Sequence, residues 1–295
     1  MEIVAADRAD LATPRPMSNG AVDLSVVVPV RNAERIVDDC LASIIRSRPR
    51  EIIVVDGMST DGTVDSVLRY PVKFLSDEGR GLPAARLIGA RAAKSPLVAL
   101  IDGDVVLPEG ALEELLDEFL VDRYDALQAG LASVSGPGYW GRALVAHHRS
   151  GRSKDWFGLV ATIFDRKTLL EHGLDEGFLS GEDIELRWRL QRAGAHIGVS
   201  RRTIVTHRFD DTYAFAQAQW LADGHGSGRM MKKHGLRGAW LALVPLVAAA
   251  RGIGFCLVRR QPQWVPYYVC FAVFNYLGIT RELAPSIRPA GNARS

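Results

Sequence analysis

The chain has 295 residues, of which 24 % are charged and 47 % hydrophobic, enough for one large α/β domain or two small ones with a sizeable core and too apolar for wholesale disorder. Its 36 basic residues nearly balance its 34 acidic ones, for a net charge of +2. With a pI near 8.5 and no long Lys/Arg block, that balance excludes the electrostatic footprint of a nucleic-acid binder.

Residues 1–22 carry acidic charges and two prolines but no apolar run. They lack the basic start and hydrophobic centre of a signal peptide and read as a flexible tail. From Asp23 the text changes: LSVVVPV predicts a strand, Ala33–Ile45 a helix and EIIVVDG a second strand, which together make a βαβ unit. A helix over Asp61–Arg69, a strand over Val72–Leu75, a helix over Pro83–Ala93, the strand LVALI and a helix over Glu109–Leu120 continue the alternation. The expected architecture is a mostly parallel, doubly wound sheet with helices on both faces, binding ligand at the carboxyl ends of its strands.

Those ends fall at Pro29–Asn32, at Asp56–Gly57 and at Asp102–Asp104. Two carboxylates around a glycine suit a hard divalent cation shared with a diphosphate, although D-G-D alone is a common acidic turn. Asp56 is placed to read a base or ribose, whereas Ser59 and Asp61 are better explained as caps of the next helix. Arg80 and Arg86 flank GRGLPAAR, a glycine-containing loop entering a helix, which offers positive charge and N–H groups to phosphates. Neither P-loop nor dinucleotide glycine spacing is present, which weakens ATP and NAD readings.

Residues 108–236 form a second half with longer, Gly-, His- and Trp-rich loops, where Trp156 is assigned to acceptor contact. Glu182 and Asp183 stand at the start of a helix in GEDIELRWRLQRAG. They are explained as well by the helix dipole as by general-base chemistry. His207 and Arg208 end the β-like run TIVTH, so the imidazole is a candidate for a metal and the guanidinium for a diphosphate.

Two apolar stretches follow within residues 237–283. Ala239–Val258 is about the ~20 residues of a membrane span but is interrupted by Pro245 and Arg251, and Trp264–Thr280 is rich in Trp, Tyr and Phe between arginines. A membrane-surface or shallow hairpin segment is expected over a clean span, with a buried helical pair or an oligomer contact as the alternatives. Residues 284–295 read as a second tail. Cys40, Cys256 and Cys270 lie far apart, matching neither a disulfide framework nor a zinc knuckle and favouring a reducing cytosol.

In this order, SVVVPVRNAERIVDDCLASI, EIIVVDGMSTDGT, GRGLPAARLIGARAA, VALIDGDVVLP, GLDEGFLSGEDIELRWRLQRAG and VTHR closely resemble the family 2 glycosyltransferases of GT-A fold over about Leu24–Arg229. The resemblance implies a catalytic domain at 23–236 whose nucleotide-binding half is 23–107, a UDP- or GDP-sugar donor, Mg2+ or Mn2+, and inverting transfer to an acceptor hydroxyl; the apolar C-terminal segments add the expectation that this acceptor is lipid-linked or membrane-proximal. It makes Asp104 the metal-binding acid, Asp102 its nucleotide-side partner, Asp56 the base contact and His207 a completing ligand. It also places Pro29, Arg31 and Glu34 in the first nucleotide loop, with Asp183 as catalytic base and Glu182 beside it contacting acceptor. Gly57 replaces a second acid common in the family, which leaves the donor base open; ELRWRL does not reproduce the Q-x-x-R-W of processive synthases and multiple convincing spans are absent, so one sugar per acceptor is expected. A cytoplasmic protein at the cytoplasmic face of the membrane, with a homo-oligomer open, completes the expectation. The competing readings are a sugar nucleotidyltransferase, whose basic glycine-rich loop after the first strand is missing, and a non-catalytic membrane-associated nucleotide-sugar-binding protein.

Overall fold

The structure is a computed structural model that describes residues 22–150 and 157–284. The expected tails lie outside it for all but one residue each, and so does Trp156. Strands β1 (Val22–Val30), β2 (Pro49–Asp56), β3 (Lys73–Ser76) and β4 (Leu97–Ile101) lie in the order β3-β2-β1-β4, all parallel. Parallel neighbours require crossovers, and α1 (Val37–Arg46), α2 (Thr63–Val67) and α3 (Leu82–Ala92) make them. Helix α1 begins later than the expected Ala33 because the residues before it form a turn: both Ile36 N–H and Val37 N–H return to the Ala33 carbonyl, at 2.9 Å.

The strands are buried on both faces, which is why they read as continuous apolar runs rather than alternating ones. Leu24, Val26, Val28 and Val30 of β1 join Ile52 and Val54 of β2 in one core with α1. Val27, Ile53 and Val55 point the other way, into a second core with α3. After β4 come β5 (Val105–Val106), α4 (Ala111–Val121), β6 (Ala126–Ser135), α5 (Tyr139–Ser150), β7 (Ala161–Asp165), α6 (Arg166–His172), α7 (Glu182–Arg192) and β8 (Ile197–Phe209). Here the sheet turns antiparallel: β7 pairs with β4, β6 with β7 and β5 with β8, giving the order β3-β2-β1-β4-β7-β6-β8-β5.

Helices α8 (Tyr213–His234), α9 (Leu236–Ala239), α10 (Val244–Val258) and α11 (Val265–Leu283) complete the chain. The described residues form two compact units. The first holds residues 22–134, 157–176 and 186–209; the second holds 135–150, 177–185 and 210–284. The units therefore interleave along the chain, and residues 177–185 belong with the C-terminal helices rather than with the sheet. Leu236–Val258 is long and apolar enough to cross a membrane, with a mean hydropathy of 2.1, and only 28 % of its apolar window is buried.

Helix α3 rests on β1 through Gly89, where an added Cβ would lie 2.2 Å from Val27 Cγ1. Val27 is fully buried and has no room to yield, so overpacking outweighs the better helix propensity of alanine. Gly89→Ala is expected to lower stability by about 1–3 kcal/mol, read as a lower urea midpoint at unchanged slope.

Candidate active site

In an open α/β sheet the ligand crevice opens where neighbouring strands send their connections to opposite sides, here between β1 and β4. Three loops meet at those strand ends. The β1 loop and the β2 loop are riveted together: Asn32 N–H donates to Ser59 Oγ at 2.9 Å, Thr60 N–H to Asn32 Oδ1 at 2.8 Å, Ala33 N–H to Thr63 Oγ1 at 2.7 Å and Glu34 N–H to Asp61 Oδ2 at 3.3 Å. Ser59 thus serves the loop junction rather than capping α2, whose N-cap is Gly62. The Thr63 hydroxyl bond, first among its causes, holds the Asp61 carboxyl below the usual range. Asn32 and Met58 adopt positive φ, +50° and +60°; asparagine tolerates that region readily, whereas methionine does so at a cost, so backbone strain at the crevice falls on Met58.

Asp56, the last residue of β2, is 6 % exposed. Its Oδ2 accepts from Ser59 N–H at 3.1 Å, while Oδ1 is buried with no partner among the described residues. An orphaned buried acceptor is expensive in a structural role and useful in a binding one, since a donor group of a ligand can satisfy it.

Asp102 and Asp104 follow β4. Gly103 between them lies against β1, where a Cβ would meet Val30 Cγ1 at 3.2 Å and the Pro29 carbonyl at 3.5 Å; the glycine lets the acidic turn press on the neighbouring strand end. Arg86, buried in α3, reaches Asp102 Oδ1 with NH2 at 2.7 Å. Burial pushes the Asp102 carboxyl up to about 6, against the downward pull of Arg86 and with a further push from Asp104.

On the other side of the turn, Val105 pairs with His207 across the short β5–β8 ladder. This sets His207 Nε2 3.2 Å from Asp104 Oδ2. Burial, the largest influence on the His207 imidazole, pulls its pKa down, but the Asp104 hydrogen bond and the charges of Asp104 and Asp102 together hold it above the ordinary value. Asp104 Oδ1 and His207 Nδ1 are both buried without partners among the described residues. No cluster of three or more His, Cys, Asp or Glu side chains surrounds a single point among the described residues. One carboxylate oxygen and one imidazole form an incomplete donor set, which suits a hard divalent cation whose remaining ligands come from phosphate and water.

The other arginines are otherwise engaged. Arg80 forms a fork to Glu176, with NH2 at 2.7 Å from Oε1. Arg208 donates to Asp39 Oδ2 at 2.6 Å and to the Ile36 carbonyl at 2.8 Å, pinning β8 to α1. Arg31 and Glu34 are exposed, and Pro29 is buried in β1. Sequence reading missed Asp77, which is 1 % exposed and accepts from Gly79 N–H at 2.8 Å and Gly81 N–H at 2.9 Å. It shapes the glycine loop that leads into α3; the signal was the spacing Asp-x-Gly-x-Gly.

In the second unit, Glu182 and Asp183 occupy the first turn of α7, as the sequence predicts. Glu182 is buried, whereas Asp183 is partly exposed and takes the Ile184 N–H on Oδ1 at 2.8 Å. The preceding Gly181 has φ +84°, a conformation that admits the sharp entry into the helix.

The family model described as glycosyl transferase family 2 matches residues 25–170. A pre-mycofactocin glycosyltransferase of Mycobacterium tuberculosis is 31 % identical over 232 residues, 68 % of this chain and 46 % of the relative; the chain thus spans about half the length of that relative. Among solved structures, the mannosyltransferase PcManGT from Pyrobaculum calidifontis, in complex with GDP-Man and Mn2+, is similar with a TM-score of 0.61 at 19 % identity, covering 89 % of each chain. S. aureus TarS 1-349 in complex with UDP is similar with a TM-score of 0.51 at 18 % identity, covering 88 % of this chain and 90 % of that one. Sheet and crevice define a protein of GT-A fold. The chain belongs to glycosyltransferase family 2.

Because Asp102 binds its proton more tightly in the folded chain than in the unfolded one, its contribution is full below the unfolded value and is lost as pH rises through about 6. Removing the buried guanidinium raises the folded value further. Arg86→Met is therefore expected to cost about 3 kcal/mol at pH 8 and clearly less at pH 5, measured by urea unfolding in chelator.

Proposed function

We propose that the chain is a metal-dependent, inverting glycosyltransferase that moves a single sugar from a UDP- or GDP-sugar to an acceptor hydroxyl. The reading rests above all on the acidic turn after β4, where Asp104 keeps a buried oxygen unpartnered beside His207. Binding of GDP-Man with Mn2+ by one protein of like fold and of UDP by another supports the donor class.

In this reading Asp56 Oδ1 accepts a hydrogen bond from the nucleobase, and the riveted β1 and β2 loops hold base and ribose in place. Asp104 and His207 hold Mg2+ or Mn2+, which when bound neutralises charge on the diphosphate. Arg86 keeps Asp102 in its charged form beside the nucleotide. The Asp183 carboxylate takes the proton of the acceptor hydroxyl as that oxygen attacks the anomeric carbon, and Glu182 contacts the acceptor. Attack from the face opposite the leaving diphosphate inverts the anomeric configuration. Most of the rate acceleration then comes from positioning and charge neutralisation.

The acceptor is lipid-linked or membrane-proximal in this proposal. Around α9 and α10, Leu236, Trp240, Leu243, Leu246, Val247, Leu257 and Val258 are all more than half exposed, and Arg237, Arg251, Arg259 and Arg260 stand among them. An apolar face with cationic neighbours suits the interface of an anionic bilayer. The free thiols of Cys40, Cys256 and Cys270 suit the reducing, cytoplasmic side.

Calorimetry with UDP, GDP and CDP, each with Mn2+ and with chelator, is expected to show metal-dependent binding of one nucleotide. Asp104→Ala should abolish the metal dependence; its persistence would remove Asp104 as ligand. Asp183→Asn should leave nucleotide binding intact and lower turnover by about 10²–10⁴-fold, and full turnover would remove Asp183 as base. The chain should co-float with vesicles containing anionic lipid, and Leu246→Glu with Val247→Glu should release it. Self-association without vesicle binding would assign the face to a second copy of the chain.

A further inference from the structure

Helix α8 carries the segment Asp223-Gly-His-Gly-Ser-Gly-Arg, whose glycines are poor helix formers in the middle of a 22-residue helix. Their positions account for them. Gly224 and Gly228 face α11: a Cβ on Gly224 would lie 2.1 Å from the Asn275 carbonyl oxygen, and one on Gly228 2.9 Å from Glu282 Cβ. His225 and Lys232, on the same side, both pair with Glu282, at 2.7 and 3.1 Å.

Gly226 faces elsewhere. A Cβ there would lie 2.1 Å from the Ser180 carbonyl oxygen, so the helix backbone abuts the turn that enters the Glu182–Asp183 pair. Every charged residue on that face of α8 meets the same segment. Asp223 Oδ1 accepts from Ser180 Oγ at 2.8 Å, the Arg229 guanidinium lies where a side chain on Gly177 would go, and the Lys233 ammonium sits 5.9 Å from the Phe178 ring centre and 3.1 Å from Glu185 Oε1. Positions 223, 226, 229 and 233 recur at helical spacing and form one stripe. The opposite stripe is locked to α11.

We propose that Asp223 is a positioning residue for the acidic pair, acting through Ser180 to hold residues 177–183 on α8 so that Glu182 and Asp183 keep one orientation. The inference rests on the proposed role of Asp183. The Ser180–Asp223 bond is the only side-chain hydrogen bond that the described contacts give to the Ser180–Gly181 turn; the remaining contacts act on residues to either side. Burial pushes the Asp223 carboxyl up to about 6, while the Ser180 hydroxyl pulls it down and the charge of Glu182 pushes it up. Tyr267 of α11 is a further titratable neighbour, its phenol raised chiefly by burial and only slightly by the Asp223 charge. A carboxyl poised this way is well replaced by an amide, whose oxygen still accepts from Ser180 without a charge facing Glu182.

The test uses the full chain with Asp223→Ala, Asp223→Asn, Ser180→Ala and Asp183→Asn. Amide exchange is followed over residues 177–185, and nucleotide release is measured from UDP-glucose and GDP-mannose with Mn2+. In Asp223→Ala and Ser180→Ala, exchange in that segment should quicken at least about tenfold while β1 and β4 are unchanged. Their kcat should fall about 10–100-fold with donor KM within about threefold, the signature of a misplaced group rather than a lost donor contact. Asp223→Asn should recover both to within about threefold. Unchanged exchange in Asp223→Ala, or equal damage in Asp223→Asn and Asp223→Ala, would overturn the proposal. Full release by Asp183→Asn alongside quickened exchange in Asp223→Ala would instead sink the base assignment and leave the loop anchor standing.

Discussion

Two residue pairs of β-ladder bring the acidic turn and the histidine of this site together. Val105 opposite His207 and Val106 opposite Thr206 join the strand that leaves the acidic turn to the last strand of the sheet. Without that pairing, the half-buried Asp104 carboxylate and the His207 imidazole would stand apart, each carrying its desolvation penalty alone. With it, each offsets part of the cost of the other, and both keep an atom uncommitted. The backbone bond from Arg208 N–H to the Asp104 carbonyl, at 3.1 Å, fixes the same register.

The crevice is built from groups that a purely structural design would satisfy. Asp56 Oδ1, Asp104 Oδ1 and His207 Nδ1 are buried and unpartnered, and they come from β2, the β4 turn and β8. The rest of the sheet meets the opposite standard: Ser25, deep in β1, donates to Glu51 at 2.7 Å and accepts from Ser95 N–H at 3.1 Å. Three orphaned polar atoms gathered at neighbouring strand ends are what a preformed polar ligand site requires. Arg86 adds the complementary element. Its charge, buried beneath the turn, opposes the desolvation that would protonate Asp102.

The second unit solves a different problem. If Asp183 is the base proposed above, its carboxylate must project from a rigid support, yet the residues before α7 form an irregular turn with Gly181 at φ +84°. Helix α8 supplies the rigidity by removing side chains where backbone must meet backbone. Glycine there serves close approach, and its propensity cost is offset by packing on two faces.

Much was legible in the sequence because it is local. Continuous apolar runs marked β1, β2 and β4, since strands covered on both faces need no polar alternation. The acidic turn after LVALI and the Glu182–Asp183 helix start were visible for the same reason: chain order alone puts a polar group at a strand end or a helix terminus. What sequence could not supply were partners. Arg80 and Arg208 look like phosphate ligands in one dimension, but Arg80 forks onto Glu176 and Arg208 divides between Asp39 and the Ile36 carbonyl, because a guanidinium's partners depend on which acceptors the fold brings within 3 Å. Ser59 looked like a cap and became a rivet between loops. Asp77 and Asp223 were passed over because their significance lies wholly in the N–H and O–H groups that reach them across space. The sequence by itself determined the strand pattern, the family and the candidate acids. Only tertiary structure decided which charges are spent on one another and which are left for a ligand, because that depends on distances between segments that periodicity does not encode.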